Sequence, residues 1–299
     1  MSICDGMQKI PLPRYLKEYS EEILHIKFDK DDAPGQDYNP KKWRHEFTGD
    51  PSVTDDLKQI RQKCPNKISR SDVDHFAQEI HSGGYPKLRR LFLACMIWGY
   101  GPRDLGLTNT SKSLSDPGLR EVLEKSVERI KKTQIREAYQ AFNLKGCRPA
   151  FFTKFFYFVG KEYNVEPLPL ILDSHVANFL EFLSKQEGWK LSLFAKRSQK
   201  GYVKRHTEGY IQYICSMDNW STKLGCAADK IEYFMYKRDQ ALVQEEKEEG
   251  IPEDGILWCR DGLRCFYCEE LLSSPPFDKT NIKNLIRAHV CKIKNRQID

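Results

Sequence analysis

The 299-residue chain lacks long apolar runs: no stretch of about 18 consecutive apolar residues is present, which excludes a predicted membrane span. Its opening residues, MSICDGMQKIPLPRYL, also lack the apolar core of a secretory signal peptide. We therefore expect an intracellular protein, placed in the nucleoid, cytoplasm or nucleus, with no membrane partner. Without a secretion signal, the ten cysteines are expected to be reduced thiols or metal ligands rather than a disulfide framework.

A strong excess of one charge is also missing, since the net charge is only +6 although 30% of the residues are charged. This mildly basic balance permits binding to nucleic acid without requiring it. A chain of this length can bury a substantial core and can form one large or two smaller domains.

Alternation of apolar and polar residues with a period of two, typical of strands, is almost absent between residues 52 and 240. The fold is therefore predicted to be mainly α. Apolar periodicity and start and stop signals place helices at 52–81 (two short ones), 87–98, 119–136, 209–220 and 227–236.

Changes in composition divide the chain into four predicted parts. Residues 1–50 read as an irregular N-terminal arm, and residues 51–242 as a helical domain. An acidic linker is expected at 243–256, followed by a small Cys/His module at 257–299.

Residues 142–183 form the most informative stretch, and they predict a helix, a tight turn, a second helix, an extended connector and a third helix. Gly146 and Pro149 punctuate the turn, because proline suits the first turn of a helix. Lys154 lies in the mostly aromatic second helix, and Asp173 stands where the third helix would be capped. From the residues alone, Asp173 is an ordinary N-cap and Lys154 a surface lysine with a buried stem.

The segment LKGCRPAFFTKFFYF, followed further along the chain by LDSHV, resembles the sequences of the helix–hairpin–helix DNA glycosylase superfamily, in particular its 8-oxoguanine DNA glycosylase-like branch. The resemblance implies a helix–hairpin–helix at about 135–160 and a catalytic Asp173. Lys154, 19 positions earlier, would be the candidate Schiff-base nucleophile. The implied partner is double-stranded DNA with one base flipped out, bound by a monomer.

The same resemblance implies which residues contact DNA. The hairpin would grip a phosphate through Lys145, Gly146 and Arg148, although Arg148 stands where the superfamily usually has a second glycine. The loop at 99–103 is either a helix stop with a turn or a wall of the base pocket, contributed by Tyr100 and Arg103. Tyr157 and His175 complete the pocket candidates, while His175 also suits a structural role.

A basic segment with interleaved aromatics follows the third helix. It suggests contact with the nucleic-acid backbone, although a solvated charged face would have the same composition. The candidate contacts in this segment are Lys196, Arg197, Lys204 and Arg205.

The C-terminal module carries the spacing of a metal site. Two cysteines two residues apart precede a histidine and a further cysteine, a ligand set that suits tetrahedral structural Zn²⁺. The predicted ligands are Cys265, Cys268, His289 and Cys291, with Cys259 as an alternate. No organic cofactor is expected.

Together these features favour a DNA glycosylase, with or without lyase activity. The excised base would be 8-oxoguanine or a modified pyrimidine of foreign, phage-type DNA, so that repair and phage defence both stay open. The alternative is a noncatalytic DNA-binding protein in which the hairpin and the finger only hold DNA. A buried aspartate beside a pocket favours the enzyme, whereas an aspartate capping a solvent-facing helix favours the binding protein.

Overall fold

The structure is a computed structural model that describes residues 3–7, 10–28, 35–189, 206–248, 256–259, 262–265 and 271–273. Helices dominate these residues, so the prediction of a mainly α fold is confirmed. The chain divides into two compact units, Met1–Tyr236 and Lys237–Asp299. None of the helices in the described segments is long and apolar enough to cross a membrane.

The helices of the described residues follow one another in a single series. They are α1 Arg14–Glu18, α2 Ser20–His25, α3 Pro40–Glu46, α4 Pro51–Lys63, α5 Arg70–Gln78, α6 Gly84–Tyr100, α7 Leu105–Leu114, α8 Leu119–Lys131, α9 Ile135–Ala141, α10 Pro149–Glu162, α11 Ser174–Glu187, α12 Thr207–Leu224 and α13 Ala228–Glu248. A 3-10 helix, Glu79–Ser82, follows α5, and two short antiparallel strands, β1 Gln36–Asp37 and β2 Lys67–Ile68, pair with each other.

Helix α6 forms the centre of the first unit. Its residues from Leu91 to Ile97 are all fully buried, and the helix packs against α4, α5, α7, α8 and α10. Helix α10 packs against α5, α6 and α8 and contributes an uninterrupted series of buried side chains from Phe152 to Val159. Each fully buried phenylalanine contributes about 1.5–3 kcal/mol through removal of apolar surface from water. These two helices therefore anchor the part of the molecule that carries Lys154.

The N-terminal region is more ordered than its sequence suggested. Leu16 on α1, Ile23 on α2 and Trp43 on α3 are buried, and the Trp220 indole N–H donates to the Ile10 carbonyl at 3.0 Å. The prediction of an irregular arm is therefore wrong for α1, α2 and α3. Their short helices are held by tertiary packing, which local composition does not reveal.

One cysteine pair also departs from expectation. Cys4 and Cys215, on α12, form a disulfide, so the prediction that the cysteines are thiols or metal ligands is wrong for this pair. Sequence spacing could not indicate the bond, because its partners are 211 positions apart. Cys95, Cys147 and Cys226 are free thiols among the described residues.

The second unit contains a three-stranded antiparallel sheet made of β3 Ile256–Cys259, β4 Gly262–Cys265 and β5 Leu271–Ser273, in that order. The boundary between the two units falls inside α13, which continues to Glu248. Residues 243–248, expected to open an acidic linker, are therefore helical.

A buried ion pair joins α5 to the start of α13 within the first unit. An Arg70 Nη2–H donates to Glu232 Oε2 at 2.8 Å, and both side chains are almost fully buried. The Arg70 guanidinium also lies 4.2 Å from the ring centroid of Tyr157 on α10. Burial raises the pKa of Glu232 to about 7, although the charge of Arg70 lowers it.

We expect Arg70→Met to lower the free energy of unfolding by about 3–5 kcal/mol, because it leaves the Glu232 carboxylate buried without its partner. Chemical denaturation monitored by circular dichroism measures the change. The control is Arg120→Met, which breaks the exposed pair with Glu124 and should cost less than about 1 kcal/mol. Equal costs for the two variants would contradict this account of the pair.

Candidate active site

The central turn lies between α9 and α10, at residues 142–148. Gly146 adopts a φ of +80°, and a Cβ at this position would lie 2.3 Å from the backbone oxygen of Asn109 on α7. Ser113 on α7 donates its hydroxyl to the Lys145 carbonyl at 2.7 Å. Glycine at 146 therefore allows the turn to pack directly on α7, and Pro149 then begins α10.

Lys154 lies on α10 with its side chain only 8% exposed. Its Nζ donates to the Ala150 carbonyl at 3.0 Å and approaches Asp173 Oδ2 at 3.4 Å. It also lies 5.5 Å from the ring centroid of Trp98 on α6. Lys154 is therefore not a solvent-facing surface lysine, because its charged end is held by the Ala150 carbonyl and the Asp173 carboxylate.

Asp173 is the N-cap of α11, as its sequence position suggested. Its Oδ1 accepts hydrogen bonds from the backbone N–H groups of His175 and Val176, both at 3.1 Å. Oδ2 is left to face Lys154, and the carboxylate is 14% exposed. One carboxylate thus caps a helix with one oxygen and pairs with an amine through the other.

Several opposing effects set the charge of Asp173. Burial raises the pKa of its carboxyl, whereas the Lys154 ammonium, His175 and the Val176 N–H lower it by more in total. The net pKa lies below the ordinary value of 3.8, so the carboxylate is ionised at neutral pH. A fixed negative charge in a confined site stabilises positive charge that develops nearby.

Aromatic contacts connect this pair to the central turn. The Tyr100 ring, at the end of α6, stacks on Phe151 of α10 with centroids 3.9 Å apart. The Tyr100 hydroxyl accepts a hydrogen bond from the Asn109 side chain at 2.9 Å, beside the backbone on which Gly146 packs. Burial raises the pKa of Tyr100 to about 12, while the charges of Arg103 and Arg148 lower it.

Comparison with known proteins identifies the family of the chain that carries this site. The family model described as "Putative 8-oxoguanine DNA glycosylase OGG-like protein" matches residues 31–236, which is more than half of the chain. The chain belongs to this family. Comparison with curated proteins and with solved structures found no match. Membership of this glycosylase family suggests a DNA glycosylase with DNA as its partner, and the matched residues include both Lys154 and Asp173.

Two predicted pocket residues do not face a pocket in this member of the family. Tyr157 is fully buried, and its hydroxyl donates to Asp229 Oδ2 at 2.8 Å. Tyr100 is 5% exposed, and its ring face is occupied by Phe151. Neither ring is therefore available to stack on a base in this structure, which corrects their proposed placement. Tyr157 instead supports the Arg70–Glu232 pair.

His175 is partly exposed and lies directly after the cap of α11. Its ring meets Tyr236 edge to face, with centroids 5.1 Å apart, and its backbone N–H donates to Asp173. Burial raises the pKa of Tyr236, and the neighbouring Asp173 charge raises it further. His175 and Tyr236 thus border the carboxylate, with His175 also holding it in place.

The predicted DNA contacts divide into two groups. Lys145, Arg148 and Arg103 are exposed, and Arg103 and Arg148 both lie near Tyr100. Among the described residues, the loop after α6 and the central turn therefore place two exposed arginines, Arg103 and Arg148, near the same tyrosine ring. Lys196, Arg197, Lys204 and Arg205 lie outside the described residues.

The predicted zinc ligands also fall mostly outside the described part of the chain, including Cys268, His289 and Cys291. Cys259 and Cys265 end β3 and β4, where their backbones pair with Gly262 and Ile256 respectively. Among the described residues no cluster of potential metal ligands occurs. The zinc site therefore stays a prediction.

Sequence reasoning missed the surroundings of Lys154. Trp98 is partly exposed, directly after the fully buried residues 91–97 of α6, and lies beside the Lys154 amine. A Cβ added at Gly99 would lie 3.2 Å from Lys154 Cδ, so the lysine stem crosses α6 at this glycine. The signal in the sequence is the Trp98-Gly99 dipeptide at the start of the predicted loop.

Proposed function

We propose that this protein is a DNA glycosylase that cleaves the N-glycosidic bond of a damaged or modified base flipped out of duplex DNA. The observation that carries the proposal is the pairing of Lys154 Nζ with Asp173 Oδ2 at 3.4 Å in a largely buried site. Membership of a glycosylase family that spans both residues supports it. The exposed side chains of Arg103 and Arg148, which both lie near Tyr100, suit contact with the DNA backbone.

Asp173 is proposed to supply the fixed negative charge of the reaction. Breaking the bond between the sugar and the base builds positive charge on the deoxyribose, and a carboxylate beside C1′ stabilises that transition state more than the ground state. The two backbone N–H groups that hold Oδ1 restrain the carboxylate before substrate arrives. Its lowered pKa keeps it charged at neutral pH.

Lys154 is proposed to act as the nucleophile. A lysine amine attacks only in its neutral form, and the Lys154 amine lies 3.4 Å from the Asp173 carboxylate. The neutral amine would then form a bond to C1′ while the base leaves with the electron pair of the broken bond. Loss of a proton from the amine and opening of the sugar ring would give an imine, from which the strand is cleaved by β-elimination.

The proposed substrate class is a base that leaves the stack readily, because flipping costs least for damaged or poorly paired bases. An oxidised guanine fits the description of the family. A modified pyrimidine of foreign DNA is a second candidate, which the test must include. Within the described residues, a noncatalytic binding protein is disfavoured by the buried ion pair, since Asp173 needs no amine in order to cap α11.

The test is a panel of labelled duplexes that carry 8-oxoguanine, uracil, hydroxymethylcytosine or glucosylated hydroxymethylcytosine at one position. We expect wild-type protein to release one of these bases and leave an abasic site, which hot alkali converts into a strand break on a denaturing gel. An unmodified duplex is the control. Tight binding to every duplex without a break would contradict the proposal and favour the noncatalytic protein.

A further inference from the structure

The backbone that leads into Asp173 is held in an unusual way. Residues Leu170, Ile171 and Leu172 are buried but belong to no helix and to neither of the sheets in the described residues. Buried backbone N–H and C=O groups need partners, and a segment outside a sheet must find them elsewhere. Side chains from two helices meet this need.

Three buried hydroxyl groups form hydrogen bonds with the backbone of these three consecutive residues. Tyr210 on α12 donates to the Leu170 carbonyl at 2.9 Å, and Tyr213 on the same helix donates to the Ile171 carbonyl at 2.9 Å. Thr153 on α10 accepts the Leu172 N–H at 3.1 Å.

Thr153 occupies a special position among the three. Its hydroxyl donates to the Pro149 carbonyl at 2.6 Å, which directs a lone pair of the same oxygen toward the Leu172 N–H. Thr153 immediately precedes Lys154, and Leu172 immediately precedes Asp173. One hydrogen bond therefore joins the residues directly before both members of the proposed catalytic pair.

The packing beside this contact is equally close. A Cβ added at Gly160, further along α10, would lie 2.4 Å from Pro169 Cδ, so glycine lets the connector before Asp173 lie directly on the helix. Thr153 is fully buried and exposes no surface to solvent or DNA. Its role must therefore be exerted through the residues that it contacts.

We infer that Thr153 is a positioning residue which, with Tyr210 and Tyr213, fixes the backbone before Asp173 and so sets the separation between the carboxylate and the Lys154 amine. The inference rests on the proposed function for its catalytic consequence, but the placement of Asp173 can be measured without activity. Misplacement of a reacting group by about 1 Å can cost about 100-fold in rate.

The decisive variant is Thr153→Val, which keeps the shape of the side chain and removes its hydroxyl. We expect an approximately 100-fold slower base release at saturating DNA, with unchanged affinity for the duplex. We also expect the pKa of Asp173, followed by carbon NMR of its carboxyl, to rise toward the ordinary value as Lys154 and Asp173 separate. Thr153→Ser retains the hydroxyl and should restore both properties.

Thr110→Val is the matched control, because Thr110 is also a fully buried threonine, and its hydroxyl has no hydrogen-bond partner within the described residues. Thr110→Val should change neither the rate of base release nor the pKa of Asp173. If Thr153→Val does not fold, Tyr213→Phe removes a single hydroxyl from the same backbone and should give the same pattern.

An unchanged pKa and an unchanged rate in folded Thr153→Val would overturn the inference, as would a serine variant as impaired as the valine variant. Failure of the proposed function has a different signature. Wild-type protein would then release no base from any duplex, whereas the pKa of Asp173 would still respond to loss of the Thr153 hydroxyl.

Discussion

Asp173→Asn should reduce the rate of base release by roughly 10²–10³-fold, because it removes the fixed charge that stabilises the developing cation. Asparagine caps helices about as well as aspartate, so the variant should keep α11 intact. Single-turnover release from the responsive duplex measures the effect. Circular dichroism and duplex affinity should resemble those of wild type.

The chain offers a closely matched control in Asp50, the N-cap of α4. Asp50 Oδ1 also accepts two backbone N–H groups, those of Ser52 and Val53, at 3.0 and 3.1 Å. Its carboxylate is exposed and also accepts the Ser52 hydroxyl at 2.6 Å, and no lysine amine of the described residues forms an ion pair with it. Asp50→Asn should therefore leave base release unchanged. Equal losses in the two variants would mean that Asp173 contributes only as a cap.

Lys154→Gln should abolish the borohydride-trapped protein–DNA adduct, because only an amine can form the reducible imine. Glutamine can still donate to Asp173 Oδ2 and to the Ala150 carbonyl, the two acceptors that Lys154 uses. The Lys154→Gln variant therefore removes the nucleophile while it keeps the hydrogen bond that holds the Asp173 carboxylate. Adduct formation is measured as a shifted band on a denaturing gel.

Lys161→Gln is the control for this second prediction, since Lys161 lies on the same helix but forms a partly exposed pair with Asp74. The Lys161→Gln variant should form the borohydride-trapped protein–DNA adduct as wild type does. An adduct that persists in Lys154→Gln would assign the nucleophile to another amine. Base release without an adduct in wild type would make water the nucleophile and leave Lys154 as the group that holds Asp173.

The central elements were predictable because local signals and tertiary structure agree there. Pro149 begins α10, Asp173 caps α11, and aromatic residues bury α10 on all sides. The resemblance named Lys154 and Asp173 as candidate catalytic residues, but their ion pair was not predicted, since spacing alone does not bring two side chains together across a connector. From the residues alone, each had an ordinary structural interpretation.

The remaining features depend on contacts between distant parts of the chain. The role of Thr153 could not be predicted from the sequence, because its partner at Leu172 is set by packing of the connector on α10. Burial of Tyr157 follows from its neighbours Asp229 and Arg70, which lie far away in sequence. Local composition likewise could not reveal that Cys4 reaches Cys215.

The most direct measurement of the central claim is mass spectrometry of the free bases released when the duplex panel is incubated with wild type, Asp173→Asn and Asp50→Asn. The proposed reaction predicts one intact modified base in the supernatant with wild type and Asp50→Asn, and almost none with Asp173→Asn. Free base released equally by Asp173→Asn, or by none of the three proteins, would contradict it.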